Sequence, residues 1–392
     1  MGHEPQPADS HLRRRGTHRP RPRPAFPHGG AGRGAGARLW RGHLEARGRA
    51  GRRRGGPGPR RHQCGWRSRR GDDMTDQDPQ DGAPLAPTPL PGTPADSRAG
   101  FVALIGVPNA GKSTLLNSLV GTKVSIVSRK VQTTRALVRG IVMEGSSQIV
   151  LVDTPGIFAP KRRLDRAMVH SAWSGAADAD AVCLLVDARK GVDEEVEAIL
   201  SRLKDVKREK LLILNKIDLI PREKLLALAA QLNEAAPFAE TFMISALKGD
   251  GIGDLRKALA ARMPAGPWLY PEDQVSDAPL RMLAAEITRE KIYDRLHEEL
   301  PYRSTVETDQ WLVKADGSVR IEQTIFVERE SQRAIVLGKG GQTIRSIGQA
   351  ARIEIAEAAE ATVHLFLHVK VRENWADDPA RYREMGLEFP RG

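Results

Sequence analysis

Past residue 100 the apolar positions fall in short unbroken runs at 101–105, 149–152, 181–186, 211–214 and 241–244. Runs this short, separated by stretches of helical spacing, predict buried parallel strands with helices on both faces. Val138–Glu144 is a further strand, one short turn (Gly145, Ser146, Ser147) before Ile149, so that pair is expected to be antiparallel. The outcome is a doubly wound, mixed α/β sheet. After a Pro-rich break at 263–279 the periodicity changes. Ile287, Ile292, Leu296 and Leu300 predict a helix ending before Pro301, and strand-like alternation follows at 306–313 and 319–327. Ile344, Ile347 and Ala351 mark another helix face, and Val363–Val371 a closing strand. This second unit reads as a smaller α+β domain.

Four of the five apolar runs end directly in a polar motif, and open α/β sheets bind ligands at the carboxyl ends of their strands. The first run enters Gly106-Val-Pro-Asn109-Ala110-Gly111-Lys112-Ser113-Thr114, which fits GxxxxGK[ST]. Its glycines let main-chain N–H groups turn inward around a phosphate at a helix N-terminus. Lys112 is placed to bridge β- and γ-phosphates, and Ser113 to offer its hydroxyl to Mg2+. The second run ends in Asp153-Thr154-Pro155-Gly156, 41 residues beyond Lys112. A carboxylate there holds magnesium through water, and the Gly156 amide reaches the γ-phosphate. The fourth run ends in Asn215-Lys216-Ile217-Asp218, where the Asp218 carboxylate accepts from guanine N1 and N2, a donor pair adenine lacks. The fifth ends in Ser245-Ala246-Leu247, where a main-chain amide is placed for guanine O6. In the second unit, Gly338-Lys339-Gly340-Gly341 matches the GxxG turn of KH modules, which clamps a nucleic-acid backbone, with Lys339 as a phosphate partner.

These four nucleotide motifs, in this order, resemble those of the translation-factor-related GTPases. The stretch from Ser128 to Arg135 (SRKVQTTR) narrows the resemblance to the Era family. The runs 289–302, 335–344 and 369–376 are similar to that family's C-terminal KH domain. The resemblance implies a P-loop GTPase domain followed by a type II KH domain. It places a switch at Gln132, Thr133, Thr134, Arg135 and Ala136, with Thr134 the residue touching magnesium and γ-phosphate and Thr133 the fallback. The implied partners are GTP and GDP, the 16S ribosomal RNA near its 3′ end and the 30S subunit. The implied setting is the cytoplasm, with peripheral membrane contact as suggested for family members, in a monomer. A non-catalytic RNA adaptor with a structural nucleotide site is the alternative. Its supporting feature is Ile157, which stands where Ras-like enzymes orient water with Gln. A GTPase of tRNA modification would want a reactive C-terminal Cys, and none follows Cys183. Asn109 has two readings, a K+ ligand that substitutes for an arginine finger or a loop-stabilising hydrogen bond. Residues 158–168, with Lys161, Arg162 and Arg163, are expected to form the mobile second switch loop. His364 and His368 share a strand face and read as surface or packing residues rather than metal ligands.

Charge changes the picture only after it is divided. The 392-residue chain carries a formal +12, but residues 1–70 hold 19 Arg, no Lys and three acids, a local +16 that leaves −4 for the rest. The folded part is therefore slightly acidic, and the basicity is not evidence about its partners. That Arg/Gly/Pro-rich segment has no pattern with which to bury a core. It reads as a basic RNA-binding arm, a transit peptide lacking the usual Ser content, or, as favoured here, a start assigned upstream of Met74. The expected division is a disordered leader over 1–98, a GTP-binding domain over 99–266, a linker over 267–279 and a KH domain over 280–392. Cys64 and Cys183 match no disulfide or zinc spacing, which suits a reducing compartment. No apolar stretch reaches the roughly 18 residues of a membrane-spanning helix.

Overall fold

The computed structural model describes residues 90–390 apart from residue 298. The Arg-rich segment, both methionine starts and the leader as far as residue 89 lie outside the described residues. Six strands build the first sheet: β1 (Arg98–Ile105), β2 (Val138–Glu144), β3 (Ser147–Asp153), β4 (Ala181–Asp187), β5 (Glu209–Asn215) and β6 (Glu240–Ile244). Their order is β2-β3-β1-β4-β5-β6, parallel except for the antiparallel β2–β3 hairpin. Every residue of β3 and β4 is buried, as expected of central strands covered on both faces. The covering helices are α1 (Lys112–Val120), α2 (Arg163–Asp178), α3 (Glu194–Leu203), α4 (Arg222–Ala235) and α5 (Ile252–Arg262). Asp193 starts α3 by accepting the Val196 amide at 2.9 Å.

The second domain follows the order α6 (Leu280–Arg295), β7 (Ser304–Val313), β8 (Val319–Val327), α7 (Glu330–Leu337), α8 (Gln342–Ala359) and β9 (Val363–Val371). Its three-stranded sheet, β7-β8-β9, pairs β7 antiparallel and β9 parallel to β8, the type II KH arrangement. Ile292, Ile325, Val336 and Ile347 fill one half of the core beneath it, and Ile287, Ile321, Ala351 and Ile355 the other. A C-terminal strap with the short helix α9 (Pro379–Glu384) then returns to the first domain. Among the described residues no helix is long and apolar enough to cross a membrane.

Three expectations need correction. The first domain begins before residue 99: Ser97 is buried and donates to Gly266 O at 2.9 Å, and Arg98 already pairs with Ser147. The helix predicted to run to Pro301 stops at Arg295, and Leu300 lies in a separate 3-10 turn, Leu300–Arg303. The carbonyls left open at that helix end receive the Lys130 ammonium, at Tyr293 O and Leu296 O. Of the expected mobile loop at 158–168, the part from Arg163 is helix. Leu164 and Met168 are buried against Trp375, Tyr382 and Leu387 of the strap, partners no local pattern reveals. The segment expected as a linker, 267–279, is bound to the first sheet. Buried Gln148 of β3 binds the Leu269 and Tyr270 amides and Tyr270 O, Trp268 donates to Ser146 O at 3.0 Å, and Ser276 bonds Arg139 O on edge strand β2.

Candidate functional site

Gly106 turns the chain out of β1 with φ 147°, and a side chain there would strike Leu185 O at 2.4 Å. Gly111, at φ 101°, leads into α1 with its Cα against the Asn215 amide. Both positions need glycine: each takes a positive φ, and a Cβ would collide with the Leu185 main chain at Gly106 and with the Asn215 side chain at Gly111. Lys112, 6% exposed, folds its ammonium back onto Gly106 O (3.0 Å) and Val107 O (3.1 Å). Burial lowers its pKa to about 8, against the opposing pull of Asp153. The loop thus holds a partly desolvated cation over the concavity that its own amides form. Gly156 lies against Pro108 so closely that a Cβ would meet its ring and main chain at 2.8–2.9 Å, and the Ile157 amide donates to Gly106 O at 3.1 Å. The two phosphate-facing loops are therefore one packed unit with Ala110 buried in it.

Asp153 ends β3 fully buried, and three hydroxyls converge on its Oδ2: Ser113 at 2.6 Å, Ser125 at 2.9 Å and Thr134 at 3.4 Å. Ser113 and Thr134 are themselves 2.9 Å apart. The Asp153 Oδ1 is buried with no hydrogen-bond partner among the described residues. Burial raises its pKa, opposed by Lys112 and these hydroxyls. A buried carboxylate with one oxygen unpartnered and the other beside the Ser113 hydroxyl of α1 and the Thr134 hydroxyl of the switch fits a hard divalent cation completed by phosphate and water. Thr133 turns its hydroxyl to Lys130 O instead (2.8 Å), so of the two threonines only Thr134 reaches this cluster. Thr154 bonds Leu104 O and anchors the loop together with Pro155. Ile157 is buried in the sheet's core, so that side chain faces no attacking water.

At the other end of the cleft, Asn215 bridges two loops: its Nδ2 donates to Ala110 O (2.9 Å) and its Oδ1 accepts from Lys216 N and Ala246 N. The Ala246 amide is thereby engaged by protein. Lys216, at φ 66°, extends to Asn109 O and Asp187 Oδ2, both at 2.6 Å. Asp218 is steadied by the Ser245 hydroxyl at 2.8 Å, with Lys248 3.7 Å from its other oxygen. Asn109 Nδ2 donates to Arg129 O, tying the phosphate loop to the segment before Thr134.

Sequence reasoning missed what the first switch touches. Arg135 is 4% exposed inside the KH domain, donating to Ser304 O (2.8 Å), Tyr302 O (3.1 Å) and the Tyr293 hydroxyl (3.2 Å). Burial lowers the pKa of its guanidinium. Arg289 reaches Thr133 O, Tyr293 donates to Gln132 O at 3.2 Å, and Glu290 accepts the Val127 amide and the Lys123 ammonium. Ala136 lies half-buried beside them. Each of Lys123, Lys130 and Arg135 was visible as a charge, but nothing local said that its partner lay more than 150 residues away.

The GxxG turn joins α7 to α8. Gly338, Gly340 and Gly341 take φ of 71°, 58° and 77°, with Lys339 and Gly340 exposed at the N-terminus of an 18-residue helix free of acids in its first turn. Such a helix start attracts phosphate. His364 and His368 are both exposed on β9.

The family described as 50S ribosome-binding GTPase matches residues 101–216, and the KH domain family matches 299–376. A GTPase Era from Bradyrhizobium sp. (strain BTAi1) is 71% identical over 300 residues, covering 76% of this chain and 97% of that protein. GTPase Era of Rhizobium meliloti is 60% identical over 320 residues, covering 82% and 99%. Two solved structures are each 38% identical and cover 74% of this chain and 99% of theirs. One is an Era variant of Aquifex aeolicus bound to GDP and aluminium fluoride, with a TM-score of 0.70. The other is Era in complex with MgGDPNP and nucleotides 1506–1542 of 16S ribosomal RNA, with a TM-score of 0.71.

Proposed function

The chain belongs to the Era family of GTPases, and on that premise we propose that it uses GTP binding and hydrolysis to regulate its grip on the 3′ end of 16S ribosomal RNA during assembly of the small ribosomal subunit in the cytoplasm. One observation carries this reading. Thr134 lies in the Ser113–Asp153 cluster, while the adjacent Arg135 is locked in the KH domain. A single peptide bond therefore separates the group that feels the γ-phosphate from the group that anchors the RNA-binding module.

Mg2+ held by Ser113, Thr134 and, through water, Asp153 would neutralise charge developing on the β- and γ-phosphoryl oxygens. Lys112 leaves its loop carbonyls for the phosphates, and the main-chain amides around Gly111 and Thr114 line the same concavity. Asp218 selects guanine by accepting its N1 and N2 donors, and Lys216 and Asn215 hold the loops that shape that pocket. Since Ile157 is in the core, water orientation falls to other groups. Asn109 leaves its Oδ1 without a protein hydrogen bond among the described residues, which suits a K+ ion near the phosphates. Turnover compared in potassium and sodium buffers tests that cation.

Gly338 to Gly341 clamps the sugar-phosphate backbone, with Lys339 supplying charge. The experiment for the whole reading is crosslinking of the protein, loaded with GTP or GDP, to ribosomal RNA, followed by sequencing of bound fragments. Enrichment of the 16S 3′ end that depends on the nucleotide is expected. Uniform recovery along the transcript in both states removes the proposal.

A further inference from the structure

Ser125 does not belong to any nucleotide motif, yet it is 2% exposed and its hydroxyl donates to Asp153 Oδ2 at 2.9 Å. Its main chain is gripped from α1. Asn117 Nδ2 donates to Ser125 O (2.7 Å), and Asn117 Oδ1 accepts the amides of Val124 and Ser125 at 2.9 and 3.0 Å. Asn117 sits four residues beyond Ser113 on the same helix, so the phosphate loop's own helix fixes Ser125. The other two hydroxyls on that carboxylate have different duties: Ser113 and Thr134 are the groups placed to face a cation, and Thr134 rides on the switch.

We infer that Ser125 is a positioning residue that holds Asp153 Oδ2 beside the Ser113 and Thr134 hydroxyls, at the metal site, whichever nucleotide is bound. A buried carboxylate can rotate about its last bond, and a fixed donor on Oδ2 keeps that oxygen beside the two cation-facing hydroxyls. Groups behind a metal site of this kind orient its direct ligands, and their loss weakens metal binding about 10- to 100-fold. Because Ser125 is tied to α1 rather than to the switch, its effect is the same with GDP as with GTP, whereas that of Thr134 is confined to the GTP state. The inference rests on reading Asp153 as the carboxylate of the magnesium site.

The test is a magnesium titration of fluorescent GDP release and of fluorescent GTP-analogue release from full-length protein. Ser125→Ala, and the nearly isosteric weak donor Ser125→Cys, should raise the magnesium concentration for half-maximal slowing by about tenfold in both nucleotide states. Ser125→Thr, which keeps the hydroxyl, should restore the wild-type midpoint. GDP affinity in EDTA should be unchanged in all three. A midpoint within twofold of wild type for both Ala and Cys overturns the inference, as does a shift seen only with the GTP analogue or an equal loss of GDP affinity in EDTA. Release from the wild type that ignores magnesium overturns the metal reading itself, a result distinguishable from the others.

Discussion

The Arg135 guanidinium stands 5.4 Å from the centre of the Trp375 ring, stacking a switch residue on the C-terminal strap. Trp375 is 1% exposed and donates to Arg303 O at 3.0 Å, while its neighbours Tyr382 and Leu387 pack on Leu164 and Met168 of α2. One aromatic side chain is thus shared by the first switch, the KH domain and the helix that follows the second switch.

Linkage makes the coupling measurable from either side. If GTP strengthens RNA binding, RNA strengthens GTP binding by the same factor, and such couplings are about 5- to 150-fold. Arg135→Met should leave GTP affinity within about threefold while collapsing both factors toward one. Calorimetric titration of each ligand, with and without the other, checks this. A variant that keeps the full coupling would show that Arg135 is only packing.

The threonine pair separates cleanly. Thr134→Ala should slow single-turnover GTP hydrolysis at least tenfold and weaken magnesium-dependent GTP binding with little effect on GDP. Thr133→Ala, whose hydroxyl faces Lys130 O, should stay near wild type. Equal defects in the two variants would mean that the switch rearranges when nucleotide binds.

Asp218→Asn exchanges an acceptor for an amide that can donate. Hydrogen bonds to charged groups contribute about 1.5–3 kcal/mol, so GTP affinity should fall about 10- to 100-fold. Xanthosine triphosphate, with an oxygen where guanine has its amino group, should gain. Competition binding with the two triphosphates reads both changes.

The glycines of the GxxG turn differ in kind. A Cβ on Gly338 would lie 2.1 Å from Thr343 Oγ1 and 2.9 Å from its main-chain nitrogen, so Gly338→Ala should destabilise the KH domain by about 1–3 kcal/mol in urea denaturation. Gly340 faces open space. Gly340→Asp should therefore fold with near-normal GTP affinity and lose at least tenfold in RNA affinity. Lys339→Ala should flatten the slope of log affinity against log salt by about 0.7, the value for one single-strand phosphate contact.

The sheet and the nucleotide loops were legible because their information is local: a buried strand and the loop at its tip sit within a dozen residues of each other. Asp153 closes β3, and the loops that leave β1 and β5 carry Lys112 and Asp218. What stayed hidden was carried by distant partners. Nothing near Arg163 announces that Leu164 will meet Tyr382, and Gln148 looks like a surface residue until its amide is seen filling the turn at Leu269 and Tyr270. Ser125 was overlooked for a different reason: a lone hydroxyl gains meaning only from the carboxylate it faces.

The strand-like docking of the chain at Ser276 against Gly140 leaves Asp277, Ala278 and Pro279 as the only residues between that anchor and α6, and Asp277 is paired with Arg139 at 2.8 Å. Three residues reach about 10 Å at full stretch. On the proposed reading, a KH domain released by the switch would turn about this short joint rather than drift away. The two faces would then stay at high effective concentration, and re-engagement would be a rotation rather than a search.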